Sequence, residues 1–247
     1  MWPAQRKLCE RGWPVFTYHK IDLPPKGALD PFLYVTPGRF DQQLSALRRA
    51  GYNTASLADL AAAPDNRCRK AVITFDDGCQ NVFDNGLSIL SRHGFHAIQF
   101  IVAGLIGKRN EWAVAKGEVP DPFMDETQIR DWLAAGHEIG SHTSTHPILK
   151  RLDLPAAREE IFGSKKKIED AFGIPVRHFC YPFGKWNEGV RDLVGEAGYM
   201  TACTVDFGVN TPATPKLELN RIVPLSAAEW LSKARHRLAQ KMAPKRA

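Results

Sequence analysis

Two adjacent carboxylates stand where an apolar segment of the sequence ends. Residues 71–75 are apolar or β-branched, and Asp76, Asp77 and Gly78 follow them directly. This pattern predicts a buried strand that ends at a turn. Neighbouring carboxylates at the edge of an apolar core disfavour each other's ionisation unless a cation or hydrogen-bond donors compensate. We expect a metal ion to provide that compensation; the alternative is an ordinary solvated Asp-Asp-Gly turn.

A second polar segment, residues 137–147, carries His142 and His146 four positions apart. One helical turn would place both imidazoles on the same side, a spacing that zinc sites often use, and Pro147 would end that turn. With Asp77 they form a set of two histidines and one carboxylate, which leaves positions open on a divalent ion. The alternative is a pair of ordinary surface or core histidines.

Three segments resemble the motifs of a known family. Residues 74–78 (Thr-Phe-Asp-Asp-Gly) and 141–146 (Ser-His-Thr-Ser-Thr-His) are similar to the first two motifs of the polysaccharide deacetylases, the carbohydrate esterases that share the NodB homology domain. Residues 178–184 (His-Phe-Cys-Tyr-Pro-Phe-Gly) resemble the third motif, and residues 16–19, 39–41 and 50–52 match more softly. The resemblance extends from about residue 15 to residue 224.

The resemblance implies a role for most of the candidate site residues. Asp77, His142 and His146 would hold a divalent metal, zinc by default, although cobalt, nickel or manganese would suit the same ligands. Asp76 would act as the general base. The backbone N–H of Phe183 would donate to the oxyanion, a main-chain contribution for which Phe serves as well as the Tyr of relatives. Tyr181 and Pro182 in the same motif would contact the substrate.

Two features of the family are missing from this sequence. No Leu-x-His motif supplies the histidine that protonates the leaving amine, so we expect His19 to do so; the alternative is that His19 is a core histidine with satisfied hydrogen bonds. Cys180 occupies the position of an arginine that holds the base carboxylate in many relatives. Arg221 is the candidate substitute, with a structural salt bridge as the alternative.

The order of elements predicts the scaffold that positions these residues. Hydrophobic periodicity predicts helices that alternate with strands, which indicates parallel βαβ units with right-handed crossovers, and about seven such units suggest a barrel. The family resemblance likewise implies an α/β fold, a distorted (β/α)7 barrel in a single domain. Asp76, Asp77, His142 and Phe183 follow predicted strands directly, as a site at the carboxyl ends of barrel strands requires. Strands are predicted at residues 13–21, 71–75, 96–102, 137–140, 179–182, 200–205 and 220–223, and helices from Phe40 to before Gly51 and at 57–62, 82–93, 126–135, 154–172 and 188–197.

The predicted domain covers residues 13–225, after a polar leader at 1–12 and before a basic helix at 226–247 that carries Trp230, Leu231 and Leu238. Packing of this tail on the barrel is favoured over contact with a membrane surface. An irregular insertion is predicted at 104–123, with Trp112 inside it, and insertions of that length are typically functional or mobile.

Composition limits the partners. The 247 residues carry a formal net charge of +6, with 44% hydrophobic and 24% charged residues, which is ordinary for a globular protein. Lysines and arginines are dispersed up to the tail, so we expect no nucleic-acid partner, although attraction to anionic glycans or membrane surfaces is permitted. The five cysteines are an odd number without Cys-x-x-Cys spacing, which favours free thiols in a reducing compartment.

No run of about 18 apolar residues and no apolar secretory signal occurs, so we expect no transmembrane segment and a cytoplasmic protein, or an extracytoplasmic one if the sequence is a trimmed form. The sequence leaves the oligomeric state open.

The expected function is hydrolytic removal of acetyl groups from an N-acetylated sugar, an N-acetylhexosamine in a polysaccharide or oligosaccharide, with the carbohydrate as the main partner. Two alternatives remain. One is a hydrolase of the same superfamily that acts on a small or cyclic amide or a lipid-linked sugar. The other is a catalytically weak glycan-binding protein that retains the fold.

Overall fold

The structure, a computed structural model, describes residues 8–26, 28, 30–62, 69–110, 120–225, 229, 232 and 233. Its strands in the described part of the chain are β1 (Val15–Tyr18), β2 (Lys20–Ile21), β3 (Tyr34–Val35), β4 (Asn53–Thr54), β5 (Lys70–Phe75), β6 (Ala97–Ile101), β7 (Glu138–Ser141), β8 (His178–Cys180), β9 (Thr201–Phe207) and β10 (Leu219–Arg221). Its α-helices there are α1 (Pro37–Arg49), α2 (Leu57–Ala62), α3 (Gln80–His93), α4 (Glu126–Ala134), α5 (Leu154–Phe172) and α6 (Glu188–Glu196).

Seven parallel strands form a nearly closed barrel. The strand order is β1-β5-β6-β7-β8-β9-β10, and every neighbouring pair is parallel. The ends of this sheet meet because Thr17 N donates to Ile222 O at 3.0 Å and Ile222 N donates to Val15 O at 2.8 Å. The predicted α/β barrel of about seven strands is therefore confirmed.

The helices begin and end where local sequence signals place them. An Asp125 cap and a Gln128 side chain form a capping box at the start of α4, and Asp153 caps α5 by accepting from Ala156 N. Gly94 and Gly173 end α3 and α5 in the left-handed conformation that glycine adopts without strain. Each of these helices lies within two residues of its predicted bounds.

Apolar residues fill both sides of the barrel wall. Along β5, Val72 belongs to the cluster inside the barrel, whereas Ile73 and Phe75 pack in the larger cluster that includes Phe40 and Leu44 of α1. A strand buried on both faces has no polar face, which explains the continuous apolar run in the sequence. Inward-pointing positions near the carboxyl ends of the strands are the ones left for polar side chains.

The structure corrects several local predictions. The first predicted strand is divided at His19 into β1 and β2, and β2 pairs with β3 in a separate two-stranded sheet. The short strand β4, which pairs with β5, was not predicted. Trp112 and the tail residues Trp230, Leu231 and Leu238 lie outside the described residues, so the predicted insertion and terminal helix stay predictions. No described helix has the length and apolar character needed to cross a membrane.

Candidate metal and active site

The two aspartates follow β5 at a turn with an unusual backbone. Asp77 has a φ of 75° and Gly78 a φ of 86°, both left-handed. Consecutive residues of an extended strand point to opposite faces. The left-handed residue at Asp77 ends that alternation, so the carboxylates of Asp76 and Asp77 both lie near His142. The turn is fixed from outside by the Met124 N–H, which donates to Gly78 O at 2.9 Å.

The second polar segment is a loop, and the predicted helical turn between His142 and His146 is wrong. Thr143 and His146 have positive φ angles of 69° and 64°, which no α-helix contains. We call residues 142–146 the histidine loop. It starts at the carboxyl end of β7, where His142 N donates to Ile101 O at 2.8 Å. Within it, His146 N donates to Thr143 Oγ1 at 3.0 Å.

Asp77, His142 and His146 converge on one point. Nε2 of His142 lies 3.5 Å from Asp77 Oδ1, and Nε2 of His146 lies 3.3 Å from the same oxygen. Two ligands of one tetrahedral zinc, each about 2.0–2.2 Å from the ion, lie roughly 3.3–3.6 Å apart. The spacing of these side chains therefore fits a shared divalent ion.

Hydrogen bonding sets the protonation of His142. Its Nδ1 lies 2.7 Å from the carbonyl oxygen of Cys180, which can only accept, so Nδ1 carries the proton. In the neutral ring the lone pair is then on Nε2, the atom that faces Asp77. A second partner of this kind is what fixes the tautomer and orientation of metal-binding histidines.

The electrostatics of the cluster favour the ligand forms of its members. Burial lowers the pKa of His146 to about 4, although the Asp77 charge opposes this, so its imidazole is neutral near pH 7. Burial would raise the pKa of Asp77, but the proximity of His142 and His146 outweighs it and holds that pKa well below its usual range. A neutral histidine and an ionised carboxylate are the forms that bind a metal.

Asp76 is held by a buried arginine from the far end of the chain. Nη1 and Nη2 of Arg221 each donate to one carboxylate oxygen of Asp76 at 2.7 Å, and Arg221 is only 1% exposed. Burial raises the pKa of Asp76, but the Arg221 charge and hydrogen bonds outweigh it and lower the pKa to about 2. The structure thus places Arg221 on the carboxylate, as the candidate substitute for the missing arginine.

Cys180 is part of this arrangement, which the sequence analysis did not anticipate. Its Sγ accepts from Arg221 Nη2 at 3.2 Å and lies 3.6 Å from Asp76 Oδ1. Asp76, His142 and Cys180 could form a second donor set. This set is the weaker candidate because Arg221 already occupies both Asp76 oxygens, and burial raises the pKa of the Cys180 thiol well above its usual value. The position of Cys180 on a predicted strand, facing into the barrel, was the feature of the sequence that could have indicated this contact.

His19 lies at the opening of the barrel, with Nε2 3.7 Å from Asp76 Oδ2. Burial lowers its pKa below 6.5, against the opposing effect of the Asp76 and Asp77 charges. A small cavity of about 30 Å³ borders His19 and is lined in part by Thr17, Phe32 and Leu225. His19 is therefore close enough to the Asp76 carboxylate for one bound molecule to contact both.

The third motif places Phe183 beside the cluster. Its ring centroid lies 4.7 Å from that of His146, and the residue is 46% exposed with a φ of 57°. Tyr181 is fully buried and its hydroxyl donates to Leu217 O at 3.0 Å, and Pro182 is also buried. The Tyr181 side chain is therefore committed to packing, and substrate contact by Tyr181 and Pro182 stays a prediction.

Left-handed backbone is concentrated at this site. In the described part of the chain, the non-glycine residues with positive φ are Asp77, Thr143, His146 and Phe183. Each such residue costs of order 1–3 kcal/mol and persists only where surrounding contacts over-determine it. All four belong to the three motif segments, so the strain coincides with the candidate site.

The parallel barrel fold of this chain is shared with solved deacetylases. The Streptococcus pyogenes deacetylase PplD, solved in complex with acetate, has this fold: its TM-score is 0.74 at 24% identity, over 94% of this chain and 99% of that chain. The chain belongs to the polysaccharide deacetylase family, whose profile matches residues 63–202. It is accordingly a hydrolase that acts on amide bonds, and the family is metal-dependent.

Two curated relatives illustrate the similarity. The Bacillus subtilis (strain 168) protein YxkH is 24% identical over 215 residues, which cover 85% of this chain and 70% of the relative. The chitooligosaccharide deacetylase of Bradyrhizobium sp. (strain ANU 289) is 29% identical over 134 residues, 53% of this chain and 53% of the relative. The match thus spans about half the length of that enzyme.

Proposed function

We propose that the protein is a metal-dependent deacetylase that removes the acetyl group from an N-acetylhexosamine in a polysaccharide or oligosaccharide. The observation that carries this proposal is the convergence of Asp77, His142 and His146, with the Asp76 carboxylate beside them. The family match and the similarity to a chitooligosaccharide deacetylase support the choice of an acetylated sugar.

The metal would be held by Asp77, His142 and His146. Zinc is the default ion for two histidines and one carboxylate, and cobalt, nickel or manganese suit the same ligands. When bound, such an ion polarises the amide carbonyl and lowers the pKa of water from near 16 toward about 7. The protein would contribute three ligands, which would leave the rest of the coordination shell to water and substrate.

Asp76 would accept the proton of the attacking water. The bidentate contact with Arg221 keeps this carboxylate ionised and fixes its orientation. The Arg221 side chain comes from β10 and would take the place of the arginine that the family resemblance implies at position 180. Arg221 would therefore be a positioning residue for the base.

The oxyanion and the leaving amine would be served by Phe183 and His19. Phe183 has a left-handed backbone and its ring contacts that of His146, so its N–H would be near enough to the cluster to donate to the oxyanion. His19, as the imidazolium, would donate a proton to the leaving amine and become neutral; it lies on the Asp76 side of the site at the barrel opening. Tyr181 and Pro182 would contribute to substrate binding through the shape and backbone of the third motif.

A substrate comparison tests this function. Purified protein with added zinc would be incubated with chitin oligomers, monomeric N-acetyl sugars, lipid-linked N-acetyl sugars and cyclic ureides, and released acetate or opened ureide would be measured. We expect acetate from the oligomers. Turnover of the ureides or of the lipid-linked sugars alone would favour the small-amide or lipid-linked alternative. Oligomer binding without any acetate under several divalent metals would indicate a glycan-binding protein.

A further inference from the structure

Glu160, in the middle of α5, contacts the backbone of the histidine loop. Its Oε2 accepts from Ser144 N and from Thr145 N, both at 2.9 Å. Its Oε1 accepts from Thr145 Oγ1 at 2.6 Å. One carboxylate thus takes three hydrogen bonds from two consecutive loop residues that lie between His142 and His146.

The carbonyl oxygens of the same two peptide groups also form hydrogen bonds. Ala103 N donates to Thr143 O at 3.0 Å, and Gly104 N donates to Ser144 O at 2.8 Å. The approach at Gly104 is close, since a Cβ built there would lie 2.4 Å from Ser144 O. The segment after β6 therefore binds the loop carbonyls, and Glu160 binds the loop N–H groups.

The loop needs such support because its backbone is strained. Thr143 and His146 are both left-handed, at a cost of order 1–3 kcal/mol each. Hydrogen bonds from backbone N–H groups to an ionised carboxylate are stronger than neutral ones. In the described part of the chain, no cationic side chain forms an ion pair with Glu160. The carboxylate contacts found there are the three hydrogen bonds from the histidine loop.

We propose that Glu160 is a positioning residue for the metal site: by fixing the peptides of Ser144 and Thr145 it holds His146 in the orientation that points Nε2 at Asp77. This inference rests on the proposed role of His146 as a ligand. Partners that orient metal ligands change metal affinity by about 10–100-fold when removed. Glu160 does not touch the substrate, so its effect passes entirely through the loop.

The test is the zinc affinity of metal-free protein, measured by competition with a chromophoric chelator. Glu160→Ala should weaken zinc binding by about 10–100-fold. The matched control is Glu159→Ala, since Glu159 is the neighbouring, exposed acid of α5 and has the same charge; its affinity should stay within about twofold of wild type. Glu160→Gln retains one oxygen acceptor but not the charge, and should lie between the two.

If Glu160 only stabilised the fold, its variants would give different zinc affinities from those above. If folded Glu160→Ala, with wild-type circular dichroism, binds zinc as tightly as wild type, the inference is wrong. If Glu160→Ala does not fold, Glu160→Gln and Thr145→Val decide: each should weaken zinc binding while keeping the fold, and wild-type affinity in both would overturn the proposal. His146→Ala separates this result from the proposed function, because unchanged affinity in that variant would reject the ligand assignment itself.

Discussion

The buried pair of Arg221 and Asp76 joins two segments that are far apart in the chain. Arg221 also donates through Nε to Thr204 O at 2.7 Å and through Nη1 to Thr74 Oγ1 at 3.2 Å, so its guanidinium is bonded on every side. Removing one partner of a buried ion pair leaves an uncompensated buried charge. The free-energy cost of that charge exceeds the stability that the intact pair contributes. The pair therefore affects both stability and the orientation of the base.

Arg221→Met should lower the free energy of unfolding by about 3–5 kcal/mol, because Asp76 would remain buried without its cation. Urea unfolding followed by fluorescence measures this. Arg191→Met is the control: Arg191 pairs with Asp192 and Glu218 near the surface, and such exposed pairs contribute little to stability. Equal unfolding midpoints for the two variants would contradict a special role for Arg221.

Asp76→Asn should reduce acetate release by about 10²–10⁴-fold, since an amide cannot take the proton of water. Metal content, measured by elemental analysis, should stay near wild type because Asp76 is not among the three proposed ligands. Normal turnover in this variant would reject Asp76 as the base. Loss of the metal together with activity would instead move Asp76 into the ligand set.

The motif residues could be chosen from sequence, but their geometry could not. Residue type and spacing were sufficient to select Asp77, His142 and His146, yet the predicted helical turn was wrong because left-handed Thr143 and His146 depend on contacts from distant segments. For Arg221 the sequence left two roles open, and only the fold determines which carboxylate lies opposite β10. At position 180 the sequence analysis noted only that Cys180 replaces an arginine. It did not predict that this side chain would contact Arg221.

At the scale of elements, the third motif depends on the close approach of two segments. Gly184 has a φ of 61°, and a Cβ there would lie 2.3 Å from Val205 Cγ2 and 2.8 Å from Val205 N. The strand β9 therefore packs directly on the segment that carries Phe183. A side chain at position 184 would push Phe183 away from His146.

Gly184→Ala should cost more stability and more activity than Gly173→Ala. Gly173 is also left-handed, with a φ of 68°, but a Cβ there would meet nothing within 4 Å. Gly173→Ala therefore isolates the backbone strain of a left-handed alanine, about 1–2 kcal/mol, whereas Gly184→Ala adds a steric clash beside the site. Urea unfolding and acetate release measure the two effects. Equal losses in both variants would show that the approach of Val205 is unimportant.

Helices were located well from sequence because apolar periodicity and capping residues act locally, as Asp125 and Asp153 show. Strand bounds were less accurate where tertiary contacts decide them. The break at His19 and the short strand β4 depend on pairing with β3 and β5, which no local pattern indicates.

At the scale of the whole molecule, buried histidines couple stability to pH. His137 lies just before β7 and accepts from Ala97 N through Nδ1 at 3.2 Å, so that nitrogen is unprotonated. Its ring packs on Trp132 with centroids 4.3 Å apart. Burial, with a smaller effect of His96, lowers the pKa of His137 from 6.5 to about 4.

This depressed pKa predicts acid destabilisation. Below pH 6.5 the unfolded chain binds a proton at His137 that the folded protein does not, so stability is complete above pH 6.5 and falls until about pH 4. The contribution of His137 is up to about 3 kcal/mol. Urea unfolding of metal-free protein should show a smaller loss between these pH values in His137→Gln than in wild type. Identical pH profiles would refute the assignment.

The barrel itself was predictable because alternating strands and helices allow few topologies. Its closure through Ile222 was not predictable: residues 16 and 222 both lie in predicted strands, but no local pattern indicates that these two strands, from opposite ends of the chain, pair with each other. Sequence thus predicted which face of the barrel carries the site, and the structure supplied the distances.

The central claim is that Asp77, His142 and His146 bind one cation together. Crystals grown with zinc and measured at wavelengths on either side of the zinc absorption edge would locate the ion by anomalous scattering. The account predicts a peak about 2.0–2.2 Å from a carboxylate oxygen of Asp77 and from Nε2 of both histidines. A zinc peak bound elsewhere, with these three side chains pointing apart, would contradict it.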